Sequence, residues 1–102
     1  MVHNKLVRDR IPEIIASQGK TAHTRILDSE EYGRMLEQKL DEEAGEYHRD
    51  KTIEELADIL EVVLALAELQ GVSVDELWEI YRRKHEARGG FRDRVFLESV
   101  ED

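Results

Sequence analysis

The stretch from Ile53 to Leu69 constrains the fold of this chain more than any other. It opens on Thr52 and Glu55, the T-x-x-E pattern of a capping box, and ends near Gly71, a helix stop signal. Between these signals Ile53, Leu56, Ile59, Leu60, Val62, Val63, Leu64, Leu66 and Leu69 spread around much of a helix circumference rather than along one stripe. Such a helix must be covered on several sides. A three- or four-helix chain of 102 residues, 40% of them hydrophobic, carries too few partners to cover it, so a second copy of the chain is the expected remedy.

The remaining segments are read around it. A first helix is expected from about Val7 to Gln18, with Ile11, Ile14 and Ile15 at helical spacing, Pro12 in its first turns and Gly19 as its stop. Residues 24–27 read as a short extended connection. A second helix is expected to start after Ser29 as N-cap and run to about Arg49, with Tyr32, Met35, Leu36, Leu40 and Tyr47 facing inward. Asp50-Lys51 makes a short turn into the Ile53 helix. Ser73 and Glu76 repeat the capping box and open a fourth helix, with Leu77, Ile80 and Tyr81 on its buried side, ending before Gly89-Gly90. The tail from Phe91 carries Val95-Phe96-Leu97, which is expected to pair with residues 24–27 as a small strand or to dock on a partner subunit. Short connections make neighbouring helices antiparallel. The expectation is one domain over 1–102, an all-α antiparallel bundle of about four helices whose core is completed by dimerisation. A content of six Gly and one Pro among 38% charged residues agrees, since a β-sandwich needs more turn residues.

Twenty-four acidic against fifteen basic residues give a formal charge of -9, which disfavours binding to nucleic acid polymers or anionic lipid. The absence of cysteine removes disulfides and thiolate metal sites and fits a reducing compartment. Met1 to Lys5 lead into the charged Arg8-Asp9-Arg10 without an apolar run, so neither a signal peptide nor a membrane span is expected, and a cytoplasmic location follows.

Acidic residues on helices usually form a solvated face; the informative ones lie where the apolar pattern places the core. At roughly 100° per residue, Glu54, Glu61 and Glu68 fall on a polar arc and read as surface residues. Glu55 instead falls between Ile59 and Val62, Asp58 at the edge of the apolar arc, Glu43 between Tyr32 and Leu36, and Glu46 beside Met35 and close to Lys39; Glu42 sits on the margin. In a hairpin around Asp50-Lys51, residues equidistant from the turn come level, so Glu46 meets Glu55 and Glu43 meets Asp58. Each pair of helix neighbours (Glu43 with Glu46, Glu55 with Asp58) shares a face. Unpaired carboxylates so close together cost several kcal/mol or take up protons, so a cation is required. Hard oxygen donors without Cys or a well-placed His select Mg²⁺, with Mn²⁺ as a substitute, over Zn²⁺. Di-iron bundles need Glu-x-x-His, and no Glu here has His three residues later. The plainer alternative makes Glu55 only the acid of its capping box and leaves the other three carboxylates on the surface.

Glu42-Glu43-Ala44-Gly45-Glu46 followed by Glu55-Leu56-Ala57-Asp58 resembles the E-E-x-x-E … E-x-x-D signature of the all-α nucleotide pyrophosphatase (MazG-like) superfamily. The segments Lys5 to Ile15 and Arg88-Gly89-Gly90-Phe91 resemble its phosphoribosyl-ATP pyrophosphohydrolase-like branch. The resemblance implies a helical dimer or tetramer that binds Mg²⁺ through Glu43, Glu46, Glu55 and Asp58. It implies hydrolysis of the α–β bond of a nucleoside triphosphate, in all expectation a non-standard one, to a monophosphate and pyrophosphate. Glu42 matches the first acid of the signature and is a candidate to position or deprotonate the attacking water. Lys5, Arg8, Arg10, Lys39, Lys84 and Arg88 are candidates for phosphate contacts, each weighed against a plain surface role. Trp78 and Tyr81 read as core before they read as a base-stacking pair, and His3, His23, His48 and His85 lack ligand spacing. Two alternatives stay open: phosphoribosyl-ATP hydrolysis in histidine synthesis, and a non-catalytic helical interaction module with a regulatory cation site.

Overall fold

The computed structural model describes residues 3–102; Met1 and Val2 of the expected 1–102 domain lie outside them. It is all-helical, with α1 at Ile11–Ser17, α2 at Ser29–Asp50, α3 at Ile53–Leu69 and α4 at Val74–Arg88, and no strand among the described residues.

Capping chemistry sets most of the boundaries. Asp28, not Ser29, caps α2, its side chain accepting from the Glu31 N–H at 2.9 Å. Either residue type caps well, and Asp28 has the extended backbone an N-cap needs. Thr52 caps α3 and Ser73 caps α4. The first helix is shorter than the expected Val7 to Gln18. Pro12 has no N–H to give to the preceding turn, so it is tolerated only at a helix start, and the helix accordingly begins at Ile11.

Between α2 and α3 the chain reverses through Lys51, whose left-handed backbone (φ 54°) lets its N–H close onto the Tyr47 carbonyl at 2.8 Å. The two long helices then lie side by side as an antiparallel hairpin. Its far end is tightly packed, since a Cβ at Gly33 near the start of α2 would stand 3.3 Å from Leu69 Cδ2 at the end of α3. Helix α4 packs more lightly on α3, while α1 packs on no other helix. The segment leading into α1 instead lies along the α2–α3 seam, where Leu6, Val7 and Arg8 help to line a cleft.

The core of a single chain is thin. Leu36 (3% exposed) and Val62 (7%) are the buried apolar side chains among the described residues. Leu56 and Leu60 of α3, and Ile80 and Tyr81 of α4, stay exposed, the latter two against expectation, because α4 meets only α3 and nothing covers its other side. The tail forms no strand with residues 24–27: Ile26, Phe91, Val95, Phe96 and Leu97 all lie open to solvent. The radius of gyration is 18.1 Å, well above the ~13 Å of a compact chain this long.

With so few buried side chains, Leu36 carries a large share of the hairpin. Leu36→Ala is expected to lower unfolding free energy by about 2–4 kcal/mol, measured by urea unfolding followed by circular dichroism. A loss under about 1 kcal/mol would show that the α2–α3 seam does not hold the fold.

Candidate metal centre

The last turns of α2 carry Glu42, Glu43 and Glu46, and the first turns of α3 carry Glu55 and Asp58. Because the connection between the helices is so short, these turns face each other. Oxygens of Glu43, Glu55 and Asp58 lie within 4.8 Å of one another, as do oxygens of Glu42, Glu43 and Glu46. Glu43 belongs to both groups, and Glu46 stands beside both Glu43 and Glu55. The hairpin register thus brings the carboxylates read from the helical projection into one patch.

Glu43 is only 7% exposed and is the one buried charged residue among those described. One carboxylate oxygen of Glu43 and one of Glu55 are buried without a hydrogen-bond partner in the described structure. A buried unpartnered oxygen on an ionised carboxylate is costly, and two in one cluster are more so. The two capping boxes make the point by contrast. At α4 the exchange is complete: the Glu76 N–H donates to Ser73 Oγ and Ser73 Oγ donates to the Glu76 carboxylate, both at 3.1 Å. At α3 the Glu55 N–H reaches Thr52 Oγ1 at 3.4 Å, yet the Glu55 carboxylate is turned into the acidic cluster. Glu55 is therefore more than a capping acid.

The electrostatics follow from this crowding. Burial, then the neighbouring Glu46 and finally Asp58 push the Glu43 carboxyl above the ordinary range, with Lys39 opposing. Burial, then Glu46, and after it Asp50 and Asp58, raise the Glu55 carboxyl. Cations close by are few. Lys39 Nζ stands 3.6 Å from both Glu42 and Glu43, too far for strong hydrogen bonds. Arg8 reaches in from the N-terminal segment, one guanidinium nitrogen 3.1 Å from Asp58 and the other 2.8 Å from Glu61. The residues present fit a hard divalent cation: oxygen donors alone, two of them orphaned, with neither Cys nor His in either group.

Beside the cluster opens a cleft of about 710 Å³, bounded by residues 6–10, the inner face of α2 and the inner face of α3. Glu43 and Asp58 form one end, and Tyr32 and Leu69 lie toward the other. Of the cations expected at phosphates, Arg8, Arg10 and Lys39 line this cleft, although Arg10 is paired with Glu13 at 2.9 Å. Lys5 joins Arg8, Lys39, Glu43 and Asp58 around an adjoining hollow. Lys84 and Arg88, exposed on the second half of α4, line neither. Glu61 and Glu68, set aside in the sequence as surface acids, both face the cleft. Both stay exposed, as the helical projection expects, and Glu61 meets Arg8 of the N-terminal segment at 2.8 Å. The clue was the density of Arg in Arg8-Asp9-Arg10, which needs acids to meet.

No protein-family model matches the chain, and no solved structure matches it. It is similar to an uncharacterized protein of Mycolicibacterium smegmatis (strain ATCC 700084 / mc(2)155), 52% identical over 42 residues. That stretch is 41% of this chain and 43% of the relative, so the two share less than half of either length.

The raised carboxyls have a thermodynamic sign. An acid whose pKa is higher folded than unfolded binds more protons in the folded state, so it costs stability as pH rises through and beyond the ordinary carboxylate range. In a chelating buffer, Glu43→Gln is therefore expected to melt above wild type at neutral pH, with the gap closing below about pH 4. Thermal unfolding across a pH series reads this directly. A gap that does not depend on pH would mean that Glu43 is not held in its charged form against burial and its neighbours.

Proposed function

We propose that this chain is a Mg²⁺-dependent nucleoside triphosphate pyrophosphohydrolase of the MazG-like kind. It cleaves the α–β phosphate bond of a non-standard nucleotide to give a monophosphate and pyrophosphate. The single observation that carries the reading is the pair of orphaned, buried oxygens of Glu43 and Glu55 inside a four-carboxylate cluster that opens onto a cleft lined in part by Arg8, Arg10 and Lys39. A cluster kept only for stability would have no reason to leave those oxygens unpartnered.

Glu43, Glu46, Glu55 and Asp58 would hold the ion. When bound, Mg²⁺ neutralises phosphate oxygens, acidifies a water molecule and stabilises charge on departing pyrophosphate. Lys39, Arg8 and Arg10, with Lys5 at the edge, bind the remaining phosphate oxygens, which have no other countercharge in the cleft. Glu42 is exposed, 3.6 Å from Lys39 and within the acidic group of Glu43 and Glu46, and in this reading it orients the attacking water and accepts its proton. The half-buried Tyr32, with Leu36 and Leu69, gives the other end of the cleft an apolar surface suited to a base or sugar.

The test is pyrophosphate release from a panel of standard and modified triphosphates and phosphoribosyl-ATP, with and without Mg²⁺. Outer-shell changes at metal sites cost about 10–100-fold, so removing a ligand by Glu55→Gln is expected to lower kcat by at least about 100-fold. Circular dichroism should show the fold intact. Release from phosphoribosyl-ATP alone would assign the histidine-synthesis reaction, whereas no release from any triphosphate would leave the helical interaction module.

The same reading includes a second copy of the chain and a cytoplasmic setting; no helix among the described residues is long and apolar enough to cross a membrane. Ile53, Leu56 and Leu60 form an exposed stripe on α3, with Ile80 and Tyr81 exposed on α4. Burying these faces against their copies supplies the core that one chain lacks. Sedimentation equilibrium is expected to give a dimer or tetramer for wild type and a lighter species for Leu60→Glu. A monomeric wild type at tens of micromolar or so would refute the pairing.

A further inference from the structure

Among the described residues, Arg8 is the side chain that joins the carboxylate cluster to a residue outside it. Its two guanidinium nitrogens separate their tasks. One meets Asp58 Oδ1, whose carboxylate belongs to the group with Glu43 and Glu55; the other meets Glu61 Oε1, which belongs to neither group. The contact bridges some fifty residues of sequence, from an irregular segment to the middle of α3. All three side chains are more than a third exposed, so neither ion pair is strong and either exchanges at little cost.

We propose that Arg8 is an exchangeable counter-ion that becomes a phosphate-binding residue. Without a divalent cation it neutralises Asp58 and Glu61; when a cation takes the Asp58 carboxylate, it gives up that contact and stays over the cleft on Glu61. The inference rests on reading the cluster as a cation site. Its physical basis is competition. Asp58 cannot keep its full charge on both partners, and a divalent ion beside Glu43 and Glu55 repels the guanidinium. Glu61 is one turn along α3 from Asp58 and outside the cluster, so its hold on Arg8 survives the exchange. The freed nitrogen then lies in the cleft beside Lys39, in reach of an anion held by the ion. Arg8 thus opposes the cation alone and favours the cation together with a polyphosphate. Glu61 acts only through Arg8 and is a positioning residue.

Calorimetric titration of MgCl₂ into the full chain, with no nucleotide, separates this from a fixed structural pair. Exposed ion pairs are worth up to about 1 kcal/mol, so R8Q is expected to bind Mg²⁺ about 2- to 5-fold more tightly than wild type. A triphosphate analogue with methylene in place of the α–β bridging oxygen, titrated at saturating Mg²⁺, should bind R8Q about 10-fold more weakly. E61Q should weaken the analogue without tightening Mg²⁺, and E61D should restore part of the loss, a pattern that general damage to the fold would not produce. Unchanged or weaker Mg²⁺ binding by R8Q overturns the exchange while leaving the cation site standing. Absence of Mg²⁺ binding by wild type overturns both.

Discussion

Like charges held close together at the base of the α2–α3 hairpin govern what the rest of this molecule must do. Lys51 turns the chain within a single left-handed residue, so the last turns of one helix and the first turns of the next face each other with no room for a spacer. The carboxylates of Glu43, Glu46, Glu55 and Asp58 are thereby held close together. Burial of Glu43 removes the water that would screen them, and Lys39 at 3.6 Å and Arg8 at 3.1 Å compensate only in part. Every other feature of the seam can be read as a response to this excess of negative charge. The arm of residues 5–10 brings cations, Asp58 takes a guanidinium, and two oxygens are left over.

What the sequence disclosed and what it hid divide along a physical line. Short-range chemistry was legible: Thr52 and Ser73 cap α3 and α4, and Gly71 and Gly89 follow their ends with positive φ. The hairpin register was legible too, because a short turn leaves one way for two helices to align, and it brought Glu43 level with Asp58. Two errors were local. Asp28 outcompeted Ser29 as a cap, and Pro12 set the start of α1 where apolar spacing alone ran on to Val7. The rest was lost because it depends on parts of the chain with no period. Arg8 of the N-terminal arm meets Glu61, and the arm shares a cleft with Glu68, neither of which a helical projection shows. The tail residues Val95, Phe96 and Leu97 have a strand-like composition but find no edge to pair with, since a strand needs another and residues 24–27 do not supply it.

The thin core has the same origin as the site. A helix that gives its first turns to carboxylates has fewer positions with which to bury apolar surface against its neighbour, and the cleft takes more of the seam between Tyr32 and Leu69. Leu36 and Val62 are buried, yet both also line that cleft, so the best-packed side chains of the chain double as its wall. Packing and the candidate site compete for one strip of surface, and the apolar stripe at Ile53, Leu56 and Leu60 is displaced to the outside.

Under the proposed reading, both deficits are met by molecules from outside the chain, and both obey mass action. A ligand that binds only the folded state adds RT ln(1 + [L]/Kd) to its stability, about 2.7 kcal/mol at a hundredfold excess over Kd. A cation at the cluster removes the repulsion between like charges, and a second copy covers the displaced stripe. Both act on α3, which carries carboxylates on one face and the stripe on another. A chain built this way has little reserve of its own. Its folded population, its assembly and its capacity to hold a polyphosphate would then rise together with the concentration of the divalent ion, with Arg8 opposing the ion only until a polyphosphate joins it.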